Sequence, residues 1–143
     1  MIVPDANLLL YAYNQDSPFH ERAARWWRAC LSGSEAVGLA PAVALGFVRL
    51  GTQARVFQAP LTVGEAAEVV RSWLARPMVR VLEGDRGSVE RALGLLEACG
   101  TAGNLVTDAQ LAALALEHRA VIHSADADFS RFAGVRWRNP GRD

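Results

Sequence analysis

Carboxylates at the ends of apolar runs are the side chains of this sequence that could do chemistry. Asp5 ends the first apolar run, Asp108 begins a later one, and Asp126 and Asp128 follow another. Carboxylates that converge repel one another, so such a cluster stays ionised only if a cation neutralises it. Hard oxygen ligands favour magnesium or manganese over zinc. A site of this kind can activate water and stabilise charge that develops on a phosphoryl oxygen.

The predicted secondary structure places these acids together. A β-branched run ends at Asp5 and passes directly into a helical stretch, which is the pattern of an α/β unit. Further strands are predicted between helical segments, at Ala36–Ala40, Val79–Leu82, Ala120–His123 and Val135–Trp137. We therefore expect an α/β fold with a mainly parallel sheet of four to five strands and helices on both faces. The acids should meet at the carboxyl edge of that sheet.

Capping signals predict where several helices begin and end. Ser17-Pro18 is typical of a helix start, and residues 62–65 and 107–110 have the forms T-x-x-E and T-x-x-Q of a capping box. Another helix should run from about Gly87 to Gly100. Its apolar residues recur along one side, at Val89, Leu93, Leu96 and Cys99.

Each acid also has a purely structural interpretation. Asp5 could be a helix N-cap, Asp108 could interact with a helix dipole, and Asp126 and Asp128 could belong to an ordinary turn. The tryptophans at 26, 27 and 73 and the apolar Val70 could form the core or a partner surface. His20, His118 and His123 are interpreted as structural or solvated.

Composition limits the classes of protein. The chain has 143 residues, about half of them apolar, and no net charge, so we expect one globular domain over residues 1–143 and no global attraction to polyanions. Cys30 and Cys99 are isolated and are expected to be buried packing residues. The sequence shows no targeting signal and no apolar run long enough to cross a bilayer, which predicts a soluble cytoplasmic protein without membrane contact.

Four segments resemble the PIN domain, specifically the VapC toxins of type II toxin–antitoxin pairs. These segments are Pro4–Ala12, Gly46–Leu50, Gly103–Ala112 and Ser124–Phe129. The resemblance covers essentially the whole chain, in the right order.

The resemblance implies an endoribonuclease dependent on Mg²⁺ or Mn²⁺ that hydrolyses structured RNA, such as tRNA or rRNA. It also implies a cognate VapB-like antitoxin, which could insert an Arg toward the acids, and a homodimer. By position, the metal-binding and catalytic acids would be Asp5, Asp108 and Asp126. Asn7, Ser124 and Asp128 would support them, and Arg49 and Arg55 are candidates for binding the RNA backbone.

One position departs from the family pattern. The usual second acid, a glutamate, is replaced by Gly46, and no Asp or Glu occurs between Ala36 and Gly64. Fewer negative ligands should weaken metal binding and put a second metal position in doubt. Gly46 therefore leaves open a catalytically weakened PIN domain that binds RNA or a protein. Independently, the D-x-D at 126–128 leaves open a phosphatase of the haloacid-dehalogenase kind, although this motif lies too late in the chain for the rest of that fold to follow.

Overall fold

The computed structural model describes residues 1–142 and contains a five-stranded parallel sheet. The strand order is β3-β2-β1-β4-β5, and every neighbouring pair is parallel. The strands are β1 (Ile2–Pro4), β2 (Val37–Leu39), β3 (Val79–Val81), β4 (Val121–His123) and β5 (Arg136–Arg138). The predicted fold class is confirmed, with a strand at each of the expected places.

Six α-helices connect these strands. They are α1 (Ala6–Tyr13), α2 (His20–Ser32), α3 (Pro41–Gly51), α4 (Val63–Leu74), α5 (Arg86–Cys99) and α6 (Val106–Glu117). Two 3₁₀ turns, Gly103–Leu105 and Ala127–Arg131, precede α6 and β5. Within residues 1–142, none of the helices has the length and apolar character needed to cross a bilayer.

The strand order determines where the helices and the site lie. The chain moves outward from β1 to β2 to β3, and then returns to the other side of β1 to form β4 and β5. Because parallel crossovers are right-handed, this reversal puts α1 to α4 on one face of the sheet and α5 and α6 on the other. The reversal lies between β1 and β4, and ligand sites of open parallel sheets occur at such switch points.

Aromatic side chains fill the core on the α1–α4 side. Trp73 and Phe47 are fully buried, with ring centroids 4.9 Å apart, and Trp27 packs edge-on against Trp73. The Trp73 indole donates a hydrogen bond to the Tyr13 hydroxyl at 2.8 Å, which satisfies its one polar group. Two of the three tryptophans that could have formed a partner surface, Trp27 and Trp73, therefore belong to the core.

The predicted helix boundaries are partly right. Thr62 and Glu65 form the expected reciprocal capping box, and Gly100 ends α5 in the left-handed conformation with φ 72°. The capping box predicted at 107–110 is wrong, because the 3₁₀ turn continues directly into α6 and the helix begins at Val106 without a side-chain cap. The helix start predicted at Ser17-Pro18 precedes the observed start of α2. Ser17 instead accepts the Phe19 N–H in a local turn, and α2 begins at His20.

The cysteines follow the prediction in part. Both are free thiols. Cys30 is buried, which raises the pKa of its thiol to about 11. Cys99 is only half-buried, contrary to the prediction, because the α5 helix that it ends has no fully buried residue.

Candidate metal centre at the sheet edge

Asp5 links the end of β1 to the start of α1. Its Oδ1 accepts the Ala6 N–H at 2.7 Å, so Asp5 is the N-cap of α1, and its own N–H donates to the His123 carbonyl in β4. Its Oδ2 accepts the Ser124 hydroxyl at 2.7 Å. The helix-cap and strand-end interpretations of Asp5 are therefore both correct, and the cap fixes the orientation of the carboxylate.

Ser124 is the centre of a polar network that joins β1 and β4. It is fully buried, and besides donating to Asp5 it accepts hydrogen bonds from the Asn7 side-chain amide at 3.2 Å and from the Asp126 N–H at 2.9 Å. The Asn7 amide oxygen in turn accepts the Ala125 N–H at 3.3 Å. Asn7 and Ser124 thus orient the loop that presents Asp126.

Three acids converge beside this network. One carboxylate oxygen from each of Asp108, Asp126 and Asp128 lies within 4.8 Å of the others. Asp126 accepts the Asp128 N–H at 2.9 Å, which is the turn expected for this stretch. Arg131 approaches Asp128 at 3.8 Å, but both side chains are about half exposed, so the pair is weak.

The electrostatics of the cluster are those of carboxylates held together with little compensating charge, since Arg131 pairs only weakly with Asp128. Burial, followed by the charges of Asp5, Asp126 and Asp128, raises the pKa of Asp108 to about 7. The pKa of Asp5 is also raised, chiefly by burial, and the hydrogen bonds from Ser124 and Ala6 limit that rise. Asp5 therefore belongs to the same electrostatic unit as the other three acids.

This donor set fits a hard divalent cation. The side chains that converge offer only carboxylate oxygens, which are the ligands that Mg²⁺ and Mn²⁺ prefer, and the mutual repulsion gives a cation a direct stabilising role. The structure thus brings together all four acids that the sequence suggested. Asp128 belongs to the same 4.8 Å group as Asp108 and Asp126, although the family resemblance implied only a supporting role for it.

Gly46, which replaces the usual glutamate of the family, has open space around its Cα. It lies in α3 one turn after Ala42, and a Cβ at Gly46 would meet no atom within 4 Å. Arg49 is exposed near the end of α3, and Arg55 is exposed in the following turn, where its guanidinium donates to the Gln53 side chain at 2.7 Å. The roles of both arginines in binding RNA stay predictions.

His123 has a structural contact that sequence reasoning did not specify. Its Nδ1 accepts the Trp26 indole N–H at 2.9 Å, and the two rings pack with centroids 5.8 Å apart. This contact fastens α2 to the end of β4, next to Ser124. Sequence spacing gives no signal for it, because the two residues are 97 positions apart.

One cavity reaches Asp5, and a second borders the residue that precedes Asp126. One, of about 550 Å³, reaches Asp5 from the side of α5 and α6 and is bordered by Pro41 and Ala42 of α3. The other, of about 340 Å³, lies beside Ala125 on the side of α1 and α2.

A parallel five-stranded sheet with acids at its β1–β4 switch point is the arrangement of a PIN domain, and the sequence profile of the PIN domain matches residues 2–135. The chain is 46% identical over 143 residues to Ribonuclease VapC33 of Mycobacterium tuberculosis, with all of both chains covered. It is 45% identical over 140 residues to Ribonuclease VapC37 of the same species, covering 98% of this chain and 97% of that one. The chain therefore belongs to the VapC ribonucleases of the PIN-domain family.

A solved structure supports the fold independently. The M. tuberculosis toxin VapC20, described as cleaving the sarcin–ricin loop, superposes with a TM-score of 0.71 over 95% of this chain and 99% of its own, at 22% identity. This membership leaves the haloacid-dehalogenase alternative without support.

Proposed function

We propose that this chain is a metal-dependent endoribonuclease and the toxin of a type II toxin–antitoxin pair, acting on structured RNA such as tRNA or rRNA. The observation that supports it most directly is the convergence of Asp108, Asp126 and Asp128 within 4.8 Å, beside Asp5, at the switch point of the sheet. A bound Mg²⁺ or Mn²⁺ would position a water for in-line attack on a phosphodiester and stabilise charge on the phosphoryl oxygens.

The protein residues have separable roles in this proposal. Asp5, Asp108 and Asp126 would hold the ion, with Asp128 as a further carboxylate at the same centre. Ser124 and Asn7 would fix the direction of Asp5 and of the loop at Asp126 through the hydrogen bonds described above. Removing a residue that orients a metal ligand through a hydrogen bond typically lowers metal affinity 10- to 100-fold.

The test is cleavage of total tRNA and of rRNA by the full chain with Mg²⁺ or Mn²⁺, against the same reactions in EDTA. We expect Asp5→Asn and Asp108→Asn to lose cleavage by at least about 100-fold, because each removes one carboxylate from the centre. Asp16→Asn is the matched control, since Asp16 is an exposed loop acid away from the cluster. Equal cleavage by all four proteins would refute the proposed site.

Gly46 favours a second candidate function, a PIN domain that binds RNA but cleaves it weakly. Calorimetric titration with Mn²⁺ separates the two. A functional centre binds Mn²⁺ with heat that Asp5→Asn abolishes, whereas an inactive centre gives no such heat.

We also propose a VapB-like antitoxin as partner. Solved relatives include VapBC2 of Rickettsia felis bound to promoter DNA, with a TM-score of 0.68 at 15% identity over 97% of this chain and 98% of that one. The converging acids, which have little compensating charge, would attract an Arg of the antitoxin. Co-expression with the neighbouring reading frame tests this, since a cognate antitoxin should co-purify and suppress cleavage.

A second copy of this chain is proposed to cover the apolar side of α5. Val89 and Leu93 follow the predicted helical pattern, but their side chains are 60% and 49% exposed. Both line the 550 Å³ cavity together with Val106 of α6, which is 47% exposed. Lasting contacts between identical chains are more apolar than contacts that must dissociate, which favours a second copy over the antitoxin here. Leu93→Glu should shift the mass in solution from dimer to monomer, whereas the matched Val63→Glu, at a position 73% exposed in α4, should not.

A further inference from the structure

The 340 Å³ cavity on the side of α1 and α2 has a composition unlike that of the α5 cavity. Its floor is apolar, one wall is aromatic and its rim is polar. The residues that line it are Leu8, Tyr11, Phe19, Ala23, Ala125, Asn139, Gly141 and Arg142.

The cavity borders the segment that carries Asp126. Ala125 forms part of its wall and stands between Ser124 and Asp126 in the chain. The Ala125 N–H donates to Asn7, so the same short segment borders the cavity on one side and the polar network of Asp5 on the other. A strand of RNA with one phosphodiester at the acids would therefore place a neighbouring nucleotide next to this cavity.

The aromatic wall is exposed and held in place. Phe19 is 54% exposed, in contrast to the fully buried Phe47 and Phe129, and its ring contacts that of Tyr11 with centroids 5.0 Å apart. Two local hydrogen bonds fix the backbone here: the Phe19 N–H donates to Ser17, and His20 Nδ1 contacts the Tyr11 carbonyl oxygen at 3.0 Å. An exposed ring held in position is the feature on which nucleic-acid bases stack.

The rim supplies positive charge. Arg142 lines the cavity, and Arg22 reaches the same rim, where its guanidinium donates to the Gly141 carbonyl at 2.7 Å. A guanidinium has five donors, so this bond leaves others directed outward. Arginine side chains contact phosphates through paired donors, which makes this rim complementary to an RNA backbone.

We infer that this cavity binds one nucleobase of the RNA, next to the phosphodiester held at the acids, with the base on the Phe19 ring and the adjoining phosphates on Arg22 and Arg142. The inference depends on the proposed ribonuclease function and adds a base-binding position to it. The guanidinium groups at the rim complement the phosphates of RNA, which an apolar protein segment does not carry.

The experiment measures binding without cleavage, in the full-length Asp108→Asn background. The probe is a single-stranded RNA 10-mer that contains 2-aminopurine, whose fluorescence is quenched when it stacks, and the matched probe is a 10-mer with the same sugar–phosphate backbone but abasic positions. We expect Phe19→Ala to weaken binding of the base-containing probe about 10-fold and to abolish the quenching. Binding of the abasic probe should not change.

Matched variants separate stacking from apolar contact and from charge. Phe19→Trp should keep affinity and quenching, whereas Phe19→Leu, which retains apolar area without an aromatic face, should lose the quenching. Arg142→Gln should weaken binding of both probes and flatten the salt dependence. Circular dichroism checks that each variant folds.

Unchanged affinity and quenching in Phe19→Ala would overturn the base-binding site. So would equal losses for the two probes, or a variant that binds RNA normally and loses only a protein partner. Metal-dependent RNA cleavage is measured separately, with the Phe19 variants made in the chain that retains Asp108. Failure of the base-binding site is therefore distinguishable from failure of the nuclease function.

Discussion

The Ser124 hydroxyl donates to Asp5 Oδ2 at 2.7 Å and joins two strands whose residues are 119 positions apart in the chain. This one bond orients an acid of β1 from a fully buried position at the end of β4. It also lowers the pKa of Asp5 against the rise caused by burial. The orientation of the Asp5 carboxylate therefore depends on a neutral side chain that directly follows another strand, β4.

Removal of this hydroxyl should weaken metal binding more than folding. We expect Ser124→Ala to reduce Mn²⁺ affinity 10- to 100-fold, because Asp5 loses the donor that directs it and its pKa rises further. Ser124→Thr, which keeps the hydroxyl, is the control. Calorimetric titration with Mn²⁺ measures both, and equal affinities for the wild type and Ser124→Ala would show that the bond does not tune the centre.

The raised pKa of Asp108 predicts how stability depends on pH in the absence of metal. The raised pKa keeps Asp108 protonated in the folded chain up to pH about 7, whereas in the unfolded chain this carboxyl has its ordinary pKa of 3.8. Because the folded state binds more protons in this window, the free energy of unfolding should fall as pH rises from about 4 to 7.

Asp108→Asn removes that dependence. Since Asp108 is partly exposed, solvent screening limits the gain, and we expect the variant to be more stable than wild type at pH 8 by on the order of 1–3 kcal/mol. Thermal unfolding in EDTA from pH 4.5 to 8 measures the difference, which should vanish at the acid end. If the unfolding temperatures of the two proteins depend on pH in the same way, the pKa of Asp108 is not raised in the folded chain.

The space at Gly46 predicts that a glutamate is tolerated there. Gly46→Glu should fold with slightly higher helix stability, up to about 1 kcal/mol, because glutamate is the better helix former and the added Cβ meets no atom within 4 Å. Gly46 lies one turn from Ala42, which borders the cavity that reaches Asp5, so the new carboxylate should raise Mn²⁺ affinity or stoichiometry.

Gly46→Gln is the matched control, since glutamine has the same size and no charge. Calorimetry should show the gain for Gly46→Glu alone. If both variants bind Mn²⁺ as the wild type does, position 46 does not face the metal centre.

Two substitutions separate the helix-capping role of Asp5 from its proposed metal-binding role. Asparagine caps helices about as well as aspartate, so Asp5→Asn should unfold near the wild-type temperature while losing metal binding. Asp5→Ala should lose metal binding and also about 1 kcal/mol of stability, because the Ala6 N–H loses its acceptor. Chemical denaturation in EDTA compares the two variants, and equal stabilities would show that the cap contributes little.

The buried indole of Trp73 should be the most sensitive position of the core. Trp73→Ala removes a fully buried side chain that contacts Phe47, Trp27 and Tyr13, and should destabilise the chain by about 3–5 kcal/mol. Leu74→Ala, the next residue along α4 and 47% exposed, is the control and should change stability little. Urea unfolding measures both.

Periodicity and strand ends were enough to predict the sheet and the meeting of the acids, because parallel strands align their carboxyl ends. Helix starts were less predictable. At α5 the cap is Asp85 paired with Ser88, a box without the usual Glu or Gln, and at α6 a 3₁₀ turn replaces the cap altogether. Burial of α5 could not be read from its pattern, since an apolar helix face looks the same whether the same chain or another one covers it.

The order of Asp5, Ser124 and Asp126 along the chain has a consequence during synthesis. A ribosome translates Asp5 119 residues before its hydrogen-bond donor Ser124, and β4 must then insert beside β1 before Asp5 gains that donor. A nascent or prematurely terminated polypeptide that lacks β4 therefore has no complete acid cluster. The complete acid cluster therefore forms only after the segment from Asp108 to Asp128 has been translated and β4 has paired with β1.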